Sequence, residues 1–386
     1  MMGSIYKGLA GMLSFSEGLS GISSNVGNLN TTAYKKNDNS FTALVSHNGK
    51  QNDGVQTSGS QLILSQGDLK NTGNDTDIAI EGNGFFVVEK NGEYLITRDG
   101  QFRFNDEGFL VARDDEIFVM ANVNGSLQRI EINNYVDDDY VATTQVDFRG
   151  NLNLREQFYD IEDVVVVDST GARRDLIIKI NTNSSVNAGE WNVEIFEGND
   201  ILLESTIIKY NKFGYPEEGF NELFLELEAE NGDVNEVVFS FGKSDNTTRT
   251  TSNSGETSIE FDKHDGREHG YISNKHINEY GQFVYEYSNG NKKNGSNLAI
   301  ASITSPEHLI AFENNMFKLD NDFDLVLIDP RAMGTMIQGG KLELSNVELS
   351  QEFSEMIIVQ RGYQASSQVM TTANEMLQQL LEATKG

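Results

Sequence analysis

The sequence predicts a mainly β protein with α-helical termini, in which the two ends pair and the middle of the chain forms β-domains. Apolar residues recur every three or four positions at both ends, whereas the region between them alternates with a period of two and is dense in turn signals. Charge is divided in the same way. Four lysines and three acidic residues give residues 1–60 a net charge of +1, and three cations and six glutamates give residues 341–386 a net charge of −3. The total of −30 leaves −28 for residues 61–340.

Length and composition exclude several classes of protein. A chain of 386 residues is too long for one core and should hold two or three compact domains. It has no cysteine, which excludes disulfides, cysteine-ligated metals and thiol nucleophiles. It has neither a signal-peptide-like apolar run nor the roughly 18 consecutive apolar residues of a membrane span. The acidic middle would repel nucleic acid and anionic membranes.

The N-terminal segment has the apolar spacing of an amphipathic helix. Its predicted face consists of Ile5, Leu9, Met12, Ser16, Leu19, Ile22 and Val26. Four glycines (Gly8, Gly11, Gly18 and Gly21) lie inside this helix, and each costs about 1 kcal/mol relative to alanine. We therefore expect the helix to form only when a partner covers it.

The C-terminal segment predicts a longer helix with two apolar rows. The first row is Phe353, Met356, Gln360, Tyr363, Ser367, Met370, Asn374, Leu377 and Leu381. The second row is Ile358, Gly362, Ala365, Val369, Ala373, Met376, Leu380 and Ala383. Two rows with heptad-type steps favour a helix that packs on more than one side, as in a coiled coil. A core helix of an ordinary globular domain would have the same periodicity.

The middle of the chain reads as a succession of short strands. Residues 85–89 and 94–98 flank an Asn91-Gly92 turn, and residues 101–104 and 108–111 follow an Asp99-Gly100 turn. Six further strands between residues 164 and 261 indicate a separate sandwich or barrel. The polar residues 39–60 predict a flexible connector around Phe41 and Leu44.

Five segments at the two ends resemble signatures of bacterial flagellar rod and hook proteins. They are residues 25–36 (NVGNLNTTAYKK), 77–86 (DIAIEGNGFF), 97–102 (TRDGQF), 340–349 (GKLELSNVEL) and 360–365 (QRGYQA). Residues 146–153, 167–171, 190–193, 281–283, 287–290 and 298–301 are similar to the middle of the hook members. Rod members are shorter there. Ala33 and Lys341 depart from the family pattern, which usually has glycine and a small residue at these positions.

The resemblance implies an axial subunit with four discontinuous parts. These are a terminal helical domain (1–30 with 346–386), an extended connector (31–70 with 333–345), an inner β-domain (71–146 with 266–332) and an inserted outer β-domain (147–265). The terminal helices would line a central channel, and the subunits would build a curved, flexible tube that acts as a universal joint between the motor rod and the filament.

The resemblance also implies partners and a location. The partners would be further copies of the chain, rod proteins, the hook cap, the hook–filament junction proteins and the flagellar type III export apparatus. The chain would be extracellular, in the flagellum, and exported without a cleaved signal peptide. The residues expected at the assembly interface are Ile5, Leu9, Met12, Leu19, Ile22, Val26, Asn28, Phe353, Met356, Gln360, Arg361, Tyr363, Met370, Leu377 and Leu381.

Two other functions fit parts of the sequence. A distal rod subunit would share the ends, but the long β-rich insertion argues against it. A secreted adhesin or surface enzyme could use the outer β-domain to bind a ligand, but would have no need of paired terminal helices.

Catalytic and metal-binding patterns are weak, so we expect neither an enzyme nor a cofactor. Asp262, His264, Asp265, Glu268 and His269 have the side chains of a divalent-metal site, but their polar surroundings favour a solvated loop. Residues 320–324 imitate the start of a calcium loop, yet its sixth and twelfth positions are Leu325 and Arg331 instead of glycine and glutamate. No serine-hydrolase elbow or HExxH motif is present in the sequence.

Overall fold

The computed structural model describes residues 2–45, 52–182, 189–198, 201–242, 250–303, 309–319 and 325–383. In these ranges the helices are α1 (Met2–Gly27), α2 (Pro330–Met333) and α3 (Leu349–Ala383). Strands account for most of the rest of the described chain, which confirms the prediction of a mainly β protein with helical termini. Among the helices of the described part, none is both long enough and apolar enough to cross a bilayer.

The first ten strands precede residue 130. They are β1 (Asn37–Val45), β2 (Asn52–Leu62), β3 (Leu69–Asn71), β4 (Ile78–Glu81), β5 (Phe85–Lys90), β6 (Glu93–Thr97), β7 (Phe102–Phe104), β8 (Leu110–Ala112), β9 (Ile117–Val123) and β10 (Ser126–Arg129). The middle strands are β11 (Asp137–Asp138), β12 (Gln145–Asn153), β13 (Phe158–Val167), β14 (Arg173–Thr182), β15 (Glu190–Glu197), β16 (Ile201–Lys209), β17 (Glu222–Glu228), β18 (Val234–Ser240), β19 (Thr250–Asn253) and β20 (Glu260–His264). The last strands are β21 (Gly270–Ile277), β22 (Gln282–Tyr287), β23 (Lys292–Asn297), β24 (Ile300–Ser302), β25 (Leu309–Ala311), β26 (Met316–Leu319), β27 (Val326–Ile328), β28 (Met336–Gly339) and β29 (Lys341–Glu343).

The chain divides into two compact units. The first unit contains residues 1–134, 275–285 and 293–386, and the second contains residues 135–274 and 286–292. Within the second unit, β12 and β20 pair with each other, with Val146 opposite His264. Further residues on either side of this pair, including β11, belong to the same unit.

Both halves of the sequence contribute strands to the first unit. Its ten-stranded sheet has the order β25-β26-β6-β5-β9-β8-β7, with β10 beside β9, β24 beside β5 and β27 beside β24. Two smaller pairings join β28 to β4 and β29 to β3, both antiparallel. Strands that are more than 200 residues apart in sequence therefore complete one β structure.

The β5–β6 hairpin forms where the Asn91-Gly92 turn predicts it. Both turn residues have positive φ (53° and 82°), as a type I′ turn requires, and glycine adopts this conformation without steric cost. The hairpin contributes Val87 and Ile96 to an apolar core that also contains Phe317. A local turn signal thus fixes the register of two core strands.

The prediction of a flexible connector at residues 39–60 is wrong for the described part of this segment. β1 and β2 form an antiparallel hairpin, with Asn37 opposite Leu62 and Phe41 opposite Thr57. The polar composition of this segment gives no strand signal. Phe41, one of its few large apolar residues, packs on α1. Its ring centroid is 5.5 Å from that of Phe15. Residues 46–51 lie outside the described ranges.

Two sheets of the second unit share one core. One sheet has the order β17-β18-β12-β19, with β20 beside β12, and the other has the order β13-β14-β15-β16. Phe148 is fully buried in this core and stacks on Phe239 and Phe241, with centroids 6.3 and 4.7 Å away. Sequence periodicity does not identify β16 because most of its residues are exposed.

The only tryptophan of the sequence reports on this core. Trp191 is 2% exposed, and its indole Nε1–H donates to Ser252 Oγ at 3.1 Å. Its fluorescence is therefore a specific probe of unfolding in the second unit.

We expect Phe148→Ala to destabilise the second unit by about 3–5 kcal/mol, because it removes a buried ring and leaves a cavity. Urea denaturation monitored by Trp191 fluorescence measures this loss. Phe224→Ala is the matched control, since Phe224 lies on a strand of the same sheet but is 54% exposed. Equal effects of the two substitutions would contradict the placement of this core.

Candidate assembly surface of the terminal helices

α1 and α3 pack in antiparallel fashion through glycines. A Cβ atom added at Gly8 would lie 3.1 Å from the Ser366 carbonyl oxygen and 3.2 Å from Met370 Cβ. One added at Gly11 would lie 2.6 Å from Ser366 Oγ, and one at Gly18 would lie 3.6 Å from Val359 Cγ1. The partner residue number falls as α1 advances, which defines the antiparallel orientation. The missing side chains allow the two helix backbones to approach closely.

A glycine of α3 is also part of this contact. A Cβ atom at Gly362 would lie 2.5–2.8 Å from three atoms of the Phe15 ring. Phe41 of β1 covers the neighbouring part of α1, since its Cζ lies 2.8 Å from a Cβ built at Gly18. Phe15 and Phe41 thus occupy space that larger residues at Gly362 and Gly18 would fill.

The contact face of α1 differs from the predicted face. Its buried positions are Gly8, Gly11, Ser14, Gly18, Ile22 and Asn25. At about 100° per residue, this face lies about 100° around the helix from the predicted row. Of that row, Ile22 is buried, Leu9 is 43% exposed, and the others are half-buried apart from exposed Ser16.

Asn28 closes the end of α1. Its Nδ2 donates to the Ser24 carbonyl oxygen at 2.9 Å, and its Oδ1 accepts a hydrogen bond from the Thr31 hydroxyl at 3.1 Å. The side chain is half-buried and engaged within its own chain.

α1 packs on α3 between the two predicted rows. Met370 and Leu377 of the first row are half-buried, as is Gly362 of the second row, and Ala373 of the second row is buried. Each row as a whole is centred about 70° to one side of the contact line. The other predicted interface residues of α3 lie outside the α1 contact. Met356 is half-buried, and Phe353, Gln360, Arg361, Tyr363 and Leu381 are exposed.

A fully buried carboxylate joins segments that are far apart in sequence. Glu343 Oε1 lies 2.7 Å from Lys35 Nζ, and Glu343 Oε2 lies 3.3 Å from Arg98 Nη1. Glu343 also accepts the Gly67 N–H at 2.9 Å. Burial lowers the pKa values of Lys35 and Arg98, and the charge of Glu343 opposes both shifts. This carboxylate is the shared counter-charge that makes the two cations tolerable in the interior.

A second buried carboxylate connects α3 to the end of α1. Glu352 Oε1 lies 2.7 Å from Lys36 Nζ, and Glu352 Oε2 accepts a hydrogen bond from Asn25 Nδ2 at 3.0 Å. Lys36 also lies 3.3 Å from Glu355. Burial by itself would lower the pKa of Lys36, but hydrogen bonding and attraction to the two glutamates outweigh it and raise the pKa.

The sequence analysis predicted neither the contact role of the α1 glycines nor the ion-pair partners of Lys35 and Lys36. The glycines of α1 counted only as a cost to helix stability, although the spacing of Gly8, Gly11 and Gly18 already places them on one face. The paired lysines Lys35 and Lys36 directly follow the first helix, but nothing local indicates that their partners are about 310 residues away.

The His and carboxylate cluster of the second unit is engaged in other contacts. Asp265 accepts the N–H groups of Thr144 and Gln145, each at 2.9 Å. Burial alone would raise the pKa of Asp265, but a hydrogen bond from the Thr144 hydroxyl, together with those from the two N–H groups, lowers it. Asp262 and Glu268 lie 3.5 and 3.8 Å from arginines, and the ring of His269 contacts Tyr271. His264 lies at the end of β20 with its ring beside that of Phe261.

Across the described ranges, no three His or acidic side chains are gathered in a way that could hold a metal ion. Residues 320–324, the calcium-loop-like stretch, lie outside those ranges.

Two segments of the chain match models of known protein families. Residues 338–383 match the model of the flagellar basal body rod FlgEFG protein C-terminal region, and residues 79–153 match that of the flagellar hook protein FlgE/F/G D1 domain. The C-terminal match covers Glu343, Glu352 and α3. Two separate segments of the chain are thus similar to models of the flagellar rod and hook protein family.

Relatives within this family align over almost the whole chain. The flagellar hook protein FlgE of Rhizobium meliloti is 28% identical over 99% of this chain and 98% of its own length. The protein of the same name from Borreliella burgdorferi is 26% identical over 99% of both chains, and that of Escherichia coli is 24% identical over 97% and 98%. The crystal structure of Helicobacter pylori flagellar hook protein FlgE2 has 12% identity and a TM-score of 0.48, and covers 71% of this chain and 100% of that one.

We expect Gly11→Leu to disrupt the helix pair, because the added side chain would meet Ser366 at once. Overpacking of this kind costs roughly 1–3 kcal/mol. Hydrogen exchange of the amides in residues 2–27 measures the effect. Gly3→Leu is the control, since a Cβ there has nothing within 4 Å and leucine should favour the helix. Unchanged protection in Gly11→Leu would argue against the close contact.

We expect Glu343→Gln to destabilise the first unit more than Lys35→Met does. The first substitution leaves two cations, only 1% and 4% exposed, without a counter-charge and should cost about 3–5 kcal/mol. After the second substitution, Glu343 still has Arg98 as a partner. Urea-dependent amide exchange in β4 and β29 compares the variants, and the reverse order of stability would refute the charge assignment.

Proposed function

We propose that this chain is a structural subunit of a bacterial flagellar hook, which polymerises into a flexible tube joining the motor rod to the filament. The observation that carries the proposal is the alignment of relatives named flagellar hook protein over 96–99% of the chain. Such coverage includes the second unit as well as the ends. A rod subunit would share the ends but not this middle region.

The surface of the helix pair supports a role in self-assembly. Leu13 of α1 is 60% exposed, and Ile357 and Leu380 of α3 are 51% and 47% exposed. Between residues 356 and 374, the only charged residue of α3 is Arg361. A long helix with so many exposed apolar side chains is typical of a protein interaction surface. The proposal includes the assembly-interface residues that the resemblance implied, which are named in the sequence analysis.

The proposal includes finer features. The subunit has four parts with the boundaries expected from the sequence, and the terminal helices line the channel of the tube. Its further partners are rod proteins, the hook cap, the junction proteins and the export apparatus, and it leaves the cell without a cleaved signal peptide. The role is mechanical and requires no catalytic group.

Deletion of the gene in its native bacterium tests this function. Electron microscopy of isolated basal structures should show rods that lack hook and filament, and the cells should not swim. Re-expression of the full chain should restore both. Truncated rods would instead indicate a rod subunit, and intact flagella with reduced adhesion would indicate an adhesin.

A further inference from the structure

The buried ion cluster around Glu343 has more positive than negative charge. Lys35, Arg98 and Glu343 are 1%, 4% and 0% exposed, so water does not screen the excess. Burial lowers the pKa values of both cations, and the charge of Arg98 adds to this effect for Lys35. Among the described residues, Glu343 is the one acidic group that opposes either shift. Two cations against one carboxylate leave a surplus of one positive charge in the interior, which is unfavourable without a partner.

Neutral groups around the cluster reduce this cost without cancelling the charge. The carbonyl oxygens of Ser65, Ile80 and Gly82 accept hydrogen bonds from the two cations at 2.8, 3.2 and 2.6 Å. The centroid of the Phe85 ring lies 5.2 Å from Arg98 Cζ. Carbonyl dipoles and a ring face attract a cation but have no net charge. The surplus charge therefore remains.

Two N–H donors of the cluster are also unused. Arg98 Nε–H is buried and has no hydrogen-bond partner within the described residues. The Lys35 ammonium has three N–H groups, and its contacts with Ser65 and Glu343 use two of them. A buried donor without an acceptor in the protein is rare and calls for an explanation such as a bound water or ion.

An anion accounts for both observations, whereas each alternative accounts for one. A bound water would accept hydrogen bonds from the unused N–H groups but would leave the surplus charge. Loss of a proton from Lys35 would remove the charge but would leave Arg98 Nε–H without an acceptor. The anion must be monovalent, since a divalent one would reverse the sign of the charge. It must also be small, because the two cations already lie 2.7 and 3.3 Å from the carboxylate oxygens.

We propose that the cluster of Lys35, Arg98 and Glu343 binds one small monovalent anion of the size of chloride, which accepts hydrogen bonds from Arg98 Nε–H and the Lys35 ammonium. The site lies within one chain and does not depend on the proposed assembly. Together with Glu343, the anion holds the segment after α1 that contains Lys35 against Arg98, so its binding stabilises the first unit. By mass action, this stabilisation grows with the concentration of the anion.

Chloride titration of the full chain tests this site. Amide exchange in β29 at a fixed urea concentration measures opening of the first unit, and exchange in β15 is the internal control in the second unit. Chloride is compared with gluconate at equal ionic strength, because gluconate gives the same general screening but is too large for the site. A tenfold rise in chloride above its dissociation constant should slow exchange in β29 nearly tenfold, and gluconate should not. Exchange in β15 should respond equally to the two salts.

Two lysine variants localise the effect. Lys35→Met removes the surplus charge, so exchange in β29 should no longer distinguish chloride from gluconate. Lys70→Met is the matched control, since Lys70 is exposed on β3 directly opposite Leu342 of β29. This control should keep the full chloride effect. The comparison of the two salts on the unmodified chain tests the proposal even if Lys35→Met does not fold.

Three results would overturn the proposal. Equal effects of chloride and gluconate on β29 in the unmodified chain would show that no anion binds. An unchanged chloride effect in Lys35→Met would place the anion elsewhere. A stability that ignores chloride but rises with pH toward 10.5, the ordinary pKa of lysine, would show that Lys35 loses its proton on folding instead.

Discussion

The ion cluster around Glu343 is the constraint on which the arrangement of the first unit depends. One buried carboxylate is the shared ion-pair partner of Lys35 and Arg98 and also accepts the N–H of Gly67. If any of these segments moved away, a charge or an N–H group would be left in the interior without a partner, at a cost of several kcal/mol. The segment after α1 that contains Lys35, the residue Arg98 after β6 and strand β29 are therefore held together. Glu352 and Lys36 extend this constraint to the base of the helix pair.

The two terminal helices have unequal apolar surfaces. α1 has little apolar volume on its contact face, and α3 has more apolar surface than α1 can cover. Close approach through glycine provides contact between the two helices within one chain, and the surplus apolar surface of α3 remains for other molecules. The two helices thus pair within one chain and leave apolar side chains of α3 exposed.

The sequence predicts the parts of this structure that depend on neighbouring residues. The Asn91-Gly92 turn specifies its hairpin because both turn residues need positive φ, and the long periodic pattern specifies α3. The β1–β2 hairpin was missed because its polar composition imitates a loop, and β16 because its side chains are mostly exposed. The contact face of α1 was missed because apolar spacing identifies large side chains, whereas this face consists mostly of glycines and other small or polar residues. The partners of Lys35 and Lys36 depend on the completed fold.

The glycine-lined contact has a thermodynamic consequence. The large heat-capacity change of protein unfolding comes from apolar surface that becomes hydrated. The α1–α3 contact buries backbone and small side chains at Gly8, Gly11 and Ser14 beside a few apolar ones such as Ile22 and Val359, so it exposes less such surface when it opens. The core around Phe148 exposes much more. The free energy of the helix contact should therefore vary less with temperature than that of the Phe148 core, which should follow a strongly curved profile and weaken on cooling as hydrophobic burial does.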